Sequence, residues 1–316
     1  MSKNTHRLKK IVLAIDGGGV RGCVVARFLE NLERALYERN GEGKLHETFD
    51  LFVGTSTGAL IVSGIAHKRL PANFISNYIY TEKVCGRIFN KTWRERIFGL
   101  IQKRPMYNGV GKRQIIKEIL SDTRQFNDTA KHVMVTCYDI TTNEHILFKS
   151  WNPSGMIKLI DALDVSSAAP GYFPSVEYKP DRYGIDGGIF ANNPTETAYI
   201  EALQLFGKDN DIRILSIGTG KGKKCSIGKD STHYGGINWA TQGELVDLLM
   251  CAPIESCDYR MKRWSSLMDH KYIRINGNID DTALDDCSQE NIDKLRKLGD
   301  ELWYKYQDEV LDLILR

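Results

Sequence analysis

Phe49-Asp50-Leu51-Phe52-Val53-Gly54-Thr55-Ser56-Thr57-Gly58 decides how the chain is read: an apolar run, Phe49 to Val53, ends in a G-x-S-x-G turn and passes into a helix-forming stretch, Ala59 to Ala66. Strand, tight glycine turn and helix, in that order, are what an exposed serine nucleophile needs. Glycines on either side let the backbone turn sharply without a Cβ clash. Ser56 is therefore a candidate nucleophile. Gly, Ser and Thr are also common turn residues, so the motif alone leaves a plain strand-to-helix connection open.

Upstream, Lys10 to Ile15 is a continuous apolar run of the kind buried on both faces of a parallel sheet, followed by Asp16-Gly17-Gly18-Gly19-Val20-Arg21-Gly22. Apolar residues then recur at helical spacing from Cys23 to Arg39. Gly17, Gly19 and Gly22 fit G-x-G-x-x-G, but a dinucleotide site needs an acid closing the next strand about 20 residues on. Glu38 lies in a charged helix end and the next strand begins only at Phe49, so that reading falls. The same geometry suits an oxyanion hole, with backbone N–H groups of Gly17, Gly18 and Gly19 aimed at a developing negative oxygen and Arg21 adding charge or fixing the loop.

Downstream, strands are predicted at Val133–Tyr138, with a hairpin partner at His145–Lys149, at Ile212–Ile217 and at Lys271–Ile275. Helices are predicted at Thr195–Phe206, Trp239–Met261 and Ile292–Leu315, the last opened by a capping box of Asp286 and Gln289. An extended segment, Tyr178 to Ile185, arrives at Asp186-Gly187-Gly188. None of the seven histidines, at 6, 46, 67, 132, 145, 233 and 270, lies in a glycine-rich or strand-end context; His233 is the best placed. Asp186 is better placed as a base, since a partly desolvated carboxylate can take a serine proton directly. A β-turn aspartate is its plainer reading.

Composition narrows the function classes. With 316 residues, a net charge of +3 and a pI near 8.3, basic and acidic residues nearly balance, which argues against a nucleic-acid polymer as partner. The 7 cysteines are odd in number and scattered without a C-x-x-C, as expected of free thiols in a reducing compartment. No signal-peptide core follows the charged N-terminus, and no run approaches the roughly 20 apolar residues of a membrane span, so a cytoplasmic protein is expected. Two basic stretches stand out: Cys85 to Tyr107, where cations interleave with aromatic and aliphatic residues as in a membrane-surface or ordinary amphipathic helix, and Lys221 to Lys229, in a loop through Gly236 that reads as mobile or a lid. Without repeats or linkers, one domain over residues 1–316 is the simplest division.

Asp16 to Gly22, Gly54 to Gly58 and Asp186 to Gly188, in that order, resemble patatin-like phospholipases. Ser167-Ala168-Ala169-Pro170, Tyr172-Phe173-Pro174, Asn192-Asn193-Pro194 and Ser216-Ile217-Gly218-Thr219-Gly220 resemble secondary signatures of that family, so the likeness runs from about Ile11 to Gly220. The resemblance implies a three-layer α/β/α fold with a mostly parallel central sheet, and a Ser56–Asp186 dyad with an oxyanion hole at Gly17, Gly18, Gly19 and Arg21. It implies a membrane phospholipid substrate met by peripheral contact at the inner membrane, and no metal or organic cofactor. Compact bacterial members include enzymes switched on by cyclic nucleotides in anti-phage defence, so a cyclic-nucleotide activator, held by Lys221 to Lys229 or Cys85 to Arg104, is a second expectation. A non-catalytic lipid-binding protein is the third.

Overall fold

A computed structural model of the protein describes residues 7–41, 43–90, 105–120, 123–152, 156–222, 232–235, 244–268, 270–279 and 283–316. Its strands are β1 (Lys9–Ile15), β2 (Leu51–Gly54), β3 (His132–Asp139), β4 (Glu144–Lys149), β5 (Val176–Lys179), β6 (Arg182–Asp186), β7 (Asp211–Ile217), β8 (Lys221–Gly222), β9 (Lys271–Ile275) and β10 (Asn278–Ile279). The principal helices are α1 (Gly22–Asn40), α2 (Thr57–Lys68), α3 (Val110–Leu120), α4 (Leu159–Ser166), α5 (Thr195–Phe206), α6 (Glu244–Leu267) and α7 (Gln289–Leu315).

Parallel pairing runs β3-β2-β1-β7-β9 through the middle of an eight-stranded sheet. The apolar run of β1 reflects burial on both faces: Ile11, Leu13 and Ile15 enter one core, with α1, α2 and α7, while Val12 and Ala14 enter the other, with α5 and α6. Helices thus cover both faces of a mostly parallel sheet, giving the expected three-layer α/β/α architecture.

Strand β3 makes the arrangement that matters for the site. Its residues Met134 and Val135 pair with both β2 and β4, and Cys137 to Asp139 pair with both β4 and β6. A strand has only two edges, so β2 and β6 share the edge that β4 leaves. Gly54 of β2 lies opposite Val135, and Asp186 of β6 opposite Cys137, two residues further along. Two residues of strand are about 7 Å. The end of β6 is therefore delivered beside the turn that follows β2.

Several boundaries move. The hairpin β5–β6 replaces a single interrupted segment, with Asp181 at φ 60° making its turn. Helix α7 is capped by Ser288, whose hydroxyl accepts the Asn291 N–H at 3.3 Å, and not by Asp286, whose carboxylate takes the Ser288 N–H at 3.0 Å before the helix begins. The predicted start of α6 at Trp239, most of the Lys221 to Lys229 loop and residues 91–104 of the basic Cys85 to Tyr107 stretch lie outside the described residues. Among the described residues no helix is long and apolar enough to cross a membrane, and Cys23, Cys85, Cys137, Cys257 and Cys287 are free thiols.

Candidate active site

Ser56 sits at the junction of β2 and α2 with φ 55° and ψ −120°, a conformation non-glycine residues rarely adopt. The surroundings enforce it. A Cβ on Gly54 would collide with the Gly58 carbonyl, and one on Gly58 with the Ile15 carbonyl, so the turn can pack against β1 only with glycine at both places. Ser56 N–H donates to Ser166 Oγ (3.3 Å), whose hydroxyl donates to Thr136 O (2.9 Å), and Thr55 Oγ1 donates to Ala191 O (2.7 Å). These bonds hold the serine, 8% exposed, on the floor of a cleft.

Asp186 ends β6 fully buried. Gly188 N–H donates to its Oδ1 at 2.8 Å, while Oδ2 is buried without a hydrogen bond of ordinary length. Burial pushes the Asp186 carboxyl up to about 6; the nearby Ser56 hydroxyl, the Gly188 N–H and the charge of Lys112 pull the other way. The Ser56 hydroxyl is thus close enough to favour the ionised carboxylate.

The glycine loop is held from three directions. Arg274 of β9 forms a buried two-toothed ion pair with Asp16 and also donates to Ser216 Oγ (2.8 Å). Thr219 Oγ1 donates to Gly17 O at 2.7 Å, and Gly17 N–H donates to Asn192 O at 3.1 Å. The last bond corrects the expectation for Gly17, because a donor already spent on a carbonyl is unavailable to an oxyanion. Gly18 and Gly19 N–H make no hydrogen bond among the described residues and line the cleft beside Ser56. Arg21 also lines it; its Nε lies 3.4 Å from Gly18 O, so it braces the loop.

The cleft, about 350 Å³, is walled by Leu60, Ile75, Ile79, Ile88, Ile115 and Ile116, with Met250 also in its lining. Ser56, Asp186, Gly18 and Gly19 are among the residues that line it. Lys112, which nothing in the sequence pattern marked, is buried in this wall with Nζ 3.0 Å from Asp164 Oδ1, 2.7 Å from Asp164 O and 4.7 Å from the Phe173 ring centroid. Asn192 and Ser166 were likewise missed; the Asn-Asn-Pro and Ser-Ala-Ala-Pro segments were the available signals. His233 is exposed, and no histidine lines the cleft among the described residues. Nor, among them, do three His, Cys, Asp or Glu side chains gather as a metal site.

A largely apolar cleft holding a strained serine, in a mostly parallel sheet covered on both faces, fits a lipid acyl hydrolase. A family profile described as patatin-like phospholipase matches residues 13–199, and the chain belongs to that family. A cGAMP-activated phospholipase of Vibrio cholerae is 29% identical over 92% of this chain and 89% of its own. Patatin-like protein 2 of Arabidopsis thaliana is 30% identical over 93% and 83%. A cGAMP-activated phospholipase of Escherichia coli is 32% identical over 66% and 61%.

Proposed function

We propose that Ser56 and Asp186 form the dyad with which this lipid acyl hydrolase cleaves fatty-acyl esters of membrane phospholipids. Asp186 takes the Ser56 proton as Oγ attacks the ester carbonyl, and the oxyanion is received by Gly18 and Gly19 N–H, with the Thr57 N–H at the start of α2 as a further donor. Collapse expels the lysolipid alcohol, protonated by Asp186. Water, deprotonated by the same carboxylate, then releases the fatty acid. The observation that carries the reading is the convergence of the strained Ser56 and the buried Asp186 in one largely apolar cleft. Ser56→Ala and Asp186→Asn should each lower fatty-acid release from phospholipid vesicles by about a thousand-fold or more. Turnover surviving in either variant removes the dyad; vesicle binding without turnover by the wild type supports the lipid-binding alternative.

The names of the Vibrio cholerae and Escherichia coli relatives support a second element, gating by a cyclic nucleotide. Assay of the wild type with and without cGAMP tests it, and equal rates remove it. Action in the cytoplasm, with peripheral contact at the inner membrane, and a single patatin-like domain over residues 1–316 belong to the same reading.

A further inference from the structure

A second cavity, about 430 Å³, lies at the opposite end of α2 from Ser56 and shares no residue with the acyl cleft. It is enclosed by the last turn of α2, by the segment leading into β3 and by His46 before β2. Lys68, Arg69, Arg124 and Lys131 line it with His46 and His67, and Asp128 is the sole carboxylate among them. That carboxylate is engaged, its Oδ2 accepting the Gln125 N–H at 2.7 Å.

Part of this charge has a structural use. Arg124 Nη1 donates to His67 O (2.9 Å) and Asp128 O (3.0 Å), Lys131 Nζ donates to Phe49 O (3.0 Å), and cations complement the negative end of a helix. Those bonds leave Arg124 Nε and Nη2 without a partner among the described residues, and Lys68 and Arg69 make no side-chain hydrogen bond or ion pair there. Arg69 holds a left-handed backbone, φ 54°, at the rim. His46 is held below the usual histidine range by burial, against the opposing pull of the Glu47 carboxylate 3.3 Å from its Nε2, and Arg69, Lys44 and Lys131 add to the lowering. A concave site with unspent guanidinium and ammonium donors matches the charge and multiple acceptor oxygens of phosphate.

We propose that this cavity is an anion site for a phosphate-bearing ligand, with Lys68, Arg69 and Arg124 as its donors. Helix α2, with 12 residues, spans about 18 Å, so the occupant touches neither Ser56 nor the acyl cleft but sits on the far end of the helix that Ser56 precedes. Inorganic pyrophosphate, a nucleotide phosphodiester and an anionic lipid headgroup share the required chemistry. The nucleotide source rests on the gated reading above; the anion site does not.

Calorimetric titration of the full chain at low salt with sodium pyrophosphate and with cGAMP, and sedimentation with phosphatidylglycerol vesicles, separate the sources. Lys68→Ala/Arg69→Ala removes exposed or half-exposed groups without structural partners, and Lys297→Ala/Lys305→Ala on α7 controls for net charge. At least one probe should bind the wild type and lose about ten-fold or more in affinity in the first variant but not in the control. No binding by any probe, or binding unchanged in Lys68→Ala/Arg69→Ala, overturns the site. Should cGAMP bind both proteins equally and neither pyrophosphate nor vesicles bind through Lys68 and Arg69, the gated reading survives and this site falls. Should pyrophosphate or vesicles bind through Lys68 and Arg69 while cGAMP neither binds nor stimulates hydrolysis, the anion site stands and the gated reading falls.

Discussion

Asp186, the proposed base, shows what burying a carboxylate costs. Burial pushes its carboxyl up to about 6 from the usual 3.8, so between those values the folded state should bind more protons than the unfolded one, and stability should fall as pH rises through that window. The penalty is absent below about 4 and complete above about 6, with a ceiling of about 3 kcal/mol. Asp186→Asn should therefore be more stable than the wild type to urea at pH 8, with the difference closing as pH falls towards 4; equal stability at both pH values contradicts the burial argument. With Asp186 as the proposed base, kcat/KM should decline below about pH 6 as the carboxylate is protonated, read from a pH–rate profile. At Gly58 the constraint is steric. Gly58→Ala drives a Cβ into the Ile15 carbonyl and should lower unfolding free energy by about 3 kcal/mol or more, read from denaturant melts.

Between elements, the site is assembled by edges and helix faces rather than by neighbours in sequence. Ser56 and Asp186 meet because β2 and β6 take successive parts of one edge of β3. Helix α3 contributes Lys112, a buried ammonium balanced by Asp164, whose charge also favours ionised Asp186. As a positioning residue it has a distinctive signature: Lys112→Met should move the acid limb of kcat/KM upward, while Lys112→Arg holds it near the wild-type value. A loss of activity with an unmoved limb in Lys112→Met indicates a packing role alone. Strand β9 contributes Arg274, and Arg274→Met leaves Asp16 as a buried, unpaired carboxylate beneath the glycine loop. Loss of such a partner costs about 3–5 kcal/mol, measurable in the same melts.

At the scale of the whole molecule, the family match ends at residue 199, yet the fold does not close there. Strand β7 is the neighbour of β1 in the middle of the sheet, and α7 packs on α1 with Phe28 and Trp303 ring centroids 5.5 Å apart. A chain stopped after Cys287 uncovers α1 along that face and should lose its cooperative thermal transition in circular dichroism; a retained sharp transition shows α7 to be dispensable.

Much of this was legible in the linear chain. Glycine turns, apolar runs and helix periodicity are local, because sterics at a turn and burial of a strand or helix face act within a few residues. They marked Ser56, the loop at Asp16 to Gly22 and Asp186. What they could not supply is mutual position: Ser56 and Asp186 are 130 residues apart, and only the shared edge of β3 places them together. Lys112 and Arg274 were invisible for the same reason, since a lone cation in a helix or strand reads as solvated until packing buries it against a particular carboxylate. The sequence alone determined the chemistry on offer at each turn. The tertiary structure decided which groups share one low-dielectric cleft, and with it that Gly17 spends its N–H on Asn192 while those of Gly18 and Gly19 make no hydrogen bond among the described residues.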